Sequence, residues 1–419
     1  MICTYNDYAD ISKLTSDSIF SKSKHIKVKK MDTLNIIKYD KSKITRDNEK
    51  TLGLFRSVIA DNNGNILCIS PPKSIDFDIF SQNNKYEDCI FQKFVEGTMI
   101  NVFYDNELED WRISTRSTLD GKCNFNMDSN ITYRYMFLDA MNHIGMEFYH
   151  LRKDFCYSFV LQHPKNRIVI PIKYPNLILT NVYKVYDNGK YLTNIIEVNI
   201  ESLNMNKSFT VLKNYYPTSK EDMDELFTSF KYTGNSWNEL LIYFGSENID
   251  YKIQGIVIYN KNGERTKLRN STYEKIKHLK GNSPKLQYQY YHLRQQGGVK
   301  DFLKYYPEYK EEFSEFRINL HKWTNQLYQN YINCFIKKEK ALIDFPYNFK
   351  THMYKIHEIY LYDLKPENKF VNKFVIVNYV NTLPPPRLMY SVNHNKKKFE
   401  KERRIVTSDL KVLMKSEIQ

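Results

Sequence analysis

The chain is poor in the features that mark metal-stapled, secreted or membrane-spanning proteins. Its six cysteines, at positions 3, 68, 89, 123, 156 and 334 of 419, never approach Cys-x-x-Cys spacing. No histidine pair falls nearby with zinc-ligand geometry, so no structural zinc is expected. The start, Met1-Ile-Cys-Thr-Tyr-Asn-Asp-Tyr-Ala-Asp10, has no basic stretch leading into an apolar one. No run of about 18 apolar residues occurs anywhere. These absences argue against a leader and a membrane partner and predict an intracellular, cytoplasmic, thiol-reduced protein.

What is present is positive charge and aromatic surface. With 62 Lys and Arg against 48 Asp and Glu, the net charge is +14, which makes an anionic partner, nucleic acid first, the expected one. The 34 Tyr and 25 Phe suit base stacking but suit core packing equally well, and packing is the default. The wealth of Asn, Lys, Ile and Tyr is that of an AT-rich, viral type of genome.

Residues 1 to 50 are polar and lysine-rich around one strand-like stretch, Thr33 to Asp40. From 52 to 285, short apolar strands alternate with Asn-Gly-type turns and a few helices. Ser219-Lys-Glu-Asp222 and Ser236-Trp-Asn-Glu239 read as helix starts. After 299 the period becomes helical: Phe313, Phe316, Leu320, Trp323, Leu327, Tyr331 and Phe335 form one face of a long helix, read as core. The run Leu383-Pro-Pro-Pro-Arg387 is expected to end the packed region before a basic tail. The predicted layout is 1–285, a helical 286–392 and a charged tail 393–419.

The decisive segment is Gln92-Lys93-Phe94-Val95-Glu96-Gly97-Thr98. It nearly matches Lys-x-Asp-Gly, in which lysine attacks the α-phosphate of a nucleoside triphosphate and the carboxylate holds the ribose. In a strand, residues i and i+2 share a face. Glu96 therefore shares its face with Phe94, and Lys93 is the nucleophile only if a bulge corrects its register. The competing reading is a buried strand with a turn glycine. Lys38-Tyr39-Asp40 lacks the glycine and is read as a decoy.

Four separated segments together resemble RNA ligases of the T-even phage type, in the covalent nucleotidyltransferase superfamily. They are Leu54-Phe-Arg56-Ser57 through Gly64, followed by Pro71-Pro72-Lys73; Lys93 to Gly97, followed by Trp111 to Ser117 with Arg116; Phe159 to Ile170, with its Pro164-Lys165-Asn166-Arg167-Ile-Val core; and Ile253-Gln254-Gly255-Ile-Val-Ile258 with Lys261 to Asn270. An unrelated sheet can also carry a lysine-bearing hairpin like the last.

The resemblance implies an α+β fold: an ATP-grasp-like nucleotidyltransferase domain with antiparallel sheets, followed by an α-helical C-terminal domain. It implies a nucleotide site at Arg56, Phe94, Glu96, Gly97, Arg116, Lys267 and Arg269, with RNA contacts at Asn166 and Arg167. ATP is the implied cofactor, RNA and a nucleoside triphosphate the implied partners. Where the family has acidic groups, this chain has Val160 and Gln254, so no metal residue is assigned and Mg2+ is expected only if the chain is active. The leading expectation is a pseudoenzyme that binds nucleotide or RNA ends without standard lysyl-AMP chemistry. The alternative is an active ATP-dependent RNA ligase working through Lys93-AMP. A capping guanylyltransferase or DNA ligase normally adds a small β-barrel where this chain turns helical.

Overall fold

The computed structural model describes residues 2–4, 25–31, 33–124, 130–187, 193–200, 203, 208–227 and 234–394; the expected tail beyond 394 lies outside them. Apolar residues at strand spacing build three sheets among these residues. The first orders β2 (Ile26–Lys30), β3 (Leu34–Tyr39), β4 (Val58–Asp61) and β5 (Ile66–Ile69), all antiparallel. The β4–β5 turn forms because the Asp61 carboxylate accepts the amides of Asn63 and Asn65, while Gly64 supplies a φ of 95°.

The largest sheet runs β1 (Ile2–Thr4), β11 (Thr193–Glu197), β10 (Asn176–Asp187), β9 (Phe155–Gln162), β7 (Thr98–Asp105) and β8 (Asp110–Ser114). A short β12 (Thr210–Val211) joins β10 in parallel, an exception to the otherwise antiparallel pairing. After the short helices α1 (Glu49–Leu52) and α2 (Phe77–Asn83), α3 (Tyr133–His143) packs on this sheet, started by Thr132, whose hydroxyl accepts the Tyr135 amide. It buries Met136, Phe137, Ala140 and Met141 in one cluster with Phe159, Leu161 and Leu179.

The third sheet is β14 (Arg265–Arg269), β13 (Gly255–Tyr259) and β6 (Ile90–Lys93). One face is apolar: Phe91, Ile256, Ile258 and Leu268 pack with Tyr215, Phe227, Leu240 and Phe244. Phe227 ends α4 (Lys220–Phe227), while Leu240 and Phe244 come from α5 (Trp237–Gly245); both helices begin at the Ser219 and Ser236 signals, whose hydroxyls accept the Asp222 and Glu239 amides.

The chain divides into two units, Met1–His278 and Leu279–Gln419, whereas the sequence suggests a break after 285. The division falls within the last turn of helix α6 (Ser271–Lys280). The second unit holds α7 (Leu286–Gln295), α8 (Val299–Tyr305), α9 (Lys310–Tyr331), α10 (Tyr347–Ile359), α11 (Lys373–Thr382) and α12 (Pro385–Val392). Of the aromatic stripe, Phe313, Leu320, Trp323, Leu327 and Tyr331 are buried as expected, each contributing about 1.5–3 kcal/mol, while Phe316 is half-buried and Phe335, also half-buried, lies beyond the end of α9. The proline run does not end the packed region. Pro385 opens α12, where its missing N–H costs nothing, and Leu388 is fully buried.

Candidate nucleotide-binding site

The strand order of the third sheet decides which side chain of the Lys93 segment faces the basic side chains of β14. Lys93 stands opposite Ile256, and the pairing of β6 with β13 continues without a bulge until the Phe94 amide donates to the Gly255 carbonyl at 2.9 Å. Lys93 thus lies on the face of Phe91 and Ile256, where its ammonium is exposed and 6.0 Å from the Tyr215 ring centre. Phe94 takes the other face. Gly255, opposite Arg269, presents no side chain between the outer strands. Across it the Phe94 ring centre lies 4.5 Å from Lys267 Nζ and 5.7 Å from Arg269 Cζ.

After Phe94 the chain leaves this sheet and enters β7 of the largest one. The crossover needs Gly97, because a Cβ there would lie 2.5 Å from the Leu161 carbonyl oxygen and from Val160 Cγ1. Val160 therefore sits directly against the Glu-Gly turn and brings no charge to it.

Arginines surround Lys267. Arg265, buried, donates from Nε and Nη2 to the Pro72 carbonyl and from Nη2 to the Pro71 carbonyl. Arg56 donates to the Pro71 carbonyl at 3.3 Å, and Arg116 donates to the Arg56 carbonyl while stacking 4.7 Å above Tyr39. Among the described residues, carbonyls and not carboxylates hold these guanidinium groups. Burial, then Arg265 and Arg116, bring Arg56 down to about 10. Arg269, on the rim, pairs with Glu274 of α6 at 3.3 Å.

Lys267 responds most. Burial first, then Arg265, Arg56, Arg269 and Lys277, depress its amine to about 6. Attraction to the Phe94 ring is worth about 0.5–2 kcal/mol to a cation, too little to offset a shift of that size. The amine makes no hydrogen bond or ion pair among the described residues, and at neutral pH it is largely uncharged.

Glu96 departs from its expected part. Its buried carboxylate accepts the amides of Ile168, Val169 and Ile170 at 3.0–3.2 Å, and Tyr273 also bonds to it. Both oxygens are committed to holding the 168–170 loop, which leaves no free carboxylate for a ribose. Asn166 spends its amide on the Thr98 hydroxyl at 2.9 Å, and Arg167 donates to the Val169 carbonyl at 3.0 Å. These two residues brace the same loop. Lys73 is paired with buried Glu49 at 2.7 Å, and Lys38 donates to the Ser117 hydroxyl at 2.8 Å.

The structure thus gathers Phe94, Lys267 and Arg269 around one spot, with Arg56 acting on Lys267 through charge and Arg116 attached to Arg56. It sets Lys93 apart. Arg265 and Tyr273 were not singled out from sequence. Arg265 had a signal, its i−2 relation to Lys267 on one strand; Tyr273 had none.

A protein-held magnesium does not fit these residues. Gln254 offers one neutral oxygen, buried and without a hydrogen bond, and Val160 offers none. No group of three or more His, Cys, Asp or Glu side chains converges among the described residues.

No protein-family profile matches the chain. Over 101 residues it is 33% identical to an RNA ligase of Rhodothermus phage RM378. That match covers 22% of this chain and 22% of the phage protein. An immediate-early protein ICP-46 homolog of Invertebrate iridescent virus 3 is 22% identical over 303 residues, 70% of this chain and 59% of that one. The chain thus spans about a fifth and under two thirds of these relatives. A putative ATP-dependent DNA ligase from Aquifex aeolicus superposes with a TM-score of 0.35 at 13% identity, over 74% of this chain and 79% of that one. No helix among the described residues is long and apolar enough to cross a membrane.

Proposed function

We propose that this chain binds a nucleoside triphosphate, ATP foremost, and phosphorylated RNA ends in the pocket of Phe94, Lys267 and Arg269, and that Lys93 carries no nucleotide. The observation that carries this reading is the phenyl ring of Phe94 lying against Lys267 and Arg269 of β14, where the resemblance calls for a lysine. Arg56, Arg116 and Arg265 add positive charge held by neutral carbonyls, which suits a polyanion. Magnesium arrives with the triphosphate as part of the substrate.

Equilibrium dialysis of ATP and filter binding of a 5′-phosphorylated RNA oligonucleotide test it. Lys267→Met and Arg116→Ala are each expected to weaken ATP binding by about tenfold or more, the scale of one charged hydrogen bond, and RNA binding should fall steeply with salt. Unchanged affinity for both ligands in both variants would remove the pocket from consideration.

A further inference from the structure

We propose that Lys267 is the nucleophile of this pocket and accepts the nucleoside monophosphate from a bound triphosphate onto its own Nζ. The inference rests on the reading that the pocket binds a triphosphate.

The geometry singles out this amine. Lys267 Nζ reaches the Phe94 ring at 4.5 Å, across Gly255, and therefore stands beside the place where a lysine at 94 would act. The other basic groups are committed or ill suited. Lys73 is tied to Glu49, Lys38 to Ser117, and Lys93 is on the opposite face. The arginines cannot deprotonate and serve as point charges for the leaving group. Lys267 has no hydrogen bond or ion pair among the described residues to hold its lone pair. A nucleophilic lysine must be uncharged, and burial beside Arg265 and Arg269 on its own strand, Arg56 before β4 and Lys277 on α6 keeps it so, with Glu274 already engaged by Arg269 and Lys277.

The step balances without an outside reagent. The Nζ lone pair attacks the α-phosphorus, an N–P bond forms, and the bond from the α-phosphorus to the bridging oxygen breaks. Pyrophosphate leaves with its magnesium against the cations, and the amine's extra proton passes to water. The product is an acid-labile phosphoramidate.

Incubating the full chain with α-labelled ATP and magnesium, followed by intact-mass and peptide analysis, tests this. The expected result is a gain of one nucleoside monophosphate on the Lys267 peptide, lost on acid treatment. Lys267→Arg should reduce it to background while retaining ATP in dialysis, and Lys93→Ala should leave it unchanged. The initial rate at subsaturating ATP should rise with pH through about 6 and then level, whereas an ordinary lysine would keep gaining toward pH 10. No adduct in a protein that binds ATP overturns this inference and leaves the binding reading standing. An adduct on Lys93 overturns both, and failure to bind ATP overturns the reading beneath them.

Discussion

Replacing Glu96 by alanine is expected to lower the unfolding free energy by about 3–5 kcal/mol, the scale seen when one partner of a buried charged network is removed. One carboxylate accepts three consecutive amides, Ile168 to Ile170, and bonds with Tyr273. Alanine removes this acceptor from the buried Val169 amide and the part-buried Ile168 and Ile170 amides; a buried donor left without its partner costs about 1–3 kcal/mol, and relaxation recovers part of the sum. Glu96→Gln should cost less, because one acceptor oxygen survives. Urea unfolding followed by near-ultraviolet circular dichroism measures both. A loss below about 1 kcal/mol for Glu96→Ala would mean that the carboxylate does not hold this loop.

Gly255→Ala should be as damaging to the pocket as to stability. Gly255 has a φ of 140°, and a Cβ there would lie 2.1 Å from the Leu268 carbonyl oxygen and 2.9 Å from Arg269 Cα. Backbone atoms, not flexible side-chain tips, receive the clash, so the β13–β14 hairpin must shift. Strain at such a position costs on the order of 1–3 kcal/mol before any packing is lost. A shift of β14 to relieve that clash displaces Lys267 and Arg269, which lie on the same strand, from Phe94. Expected together are a lowered midpoint of thermal unfolding and a loss of ATP binding larger than that of Lys267→Met alone. Wild-type affinity and stability would contradict the close-approach argument.

The parity of β6 was legible in the residues. Lys93 and Phe94 are neighbours and so take opposite faces of a bulge-free strand, and the ladder from Ile90 to Phe94 is unbroken; Glu96 lies beyond that strand, in the crossover to β7. The helix starts at Ser219 and Ser236 and the core stripe of α9 were equally local, set by spacings of three and four residues. The commitments of Glu96 and Lys73 were not legible. Their partners lie far along the chain, at 168–170 and at Glu49, and a side chain's spare bonding capacity depends on what folds against it. Pro385 shows the limit of punctuation: a proline run signals a stop, but the same fixed φ opens a helix when apolar Leu388 follows.

The most direct test of the account is a lysine footprint with pyridoxal 5′-phosphate at pH 7, trapped by borohydride, with and without saturating ATP. The aldehyde condenses with uncharged amines and its phosphate seeks a cationic pocket, so Lys267 should label ahead of the other lysines. ATP should protect Lys267, and Lys93 should label to the same extent with or without ATP. Protection of Lys93 with Lys267 unlabelled or unprotected would contradict a nucleotide pocket built on Phe94 and Lys267.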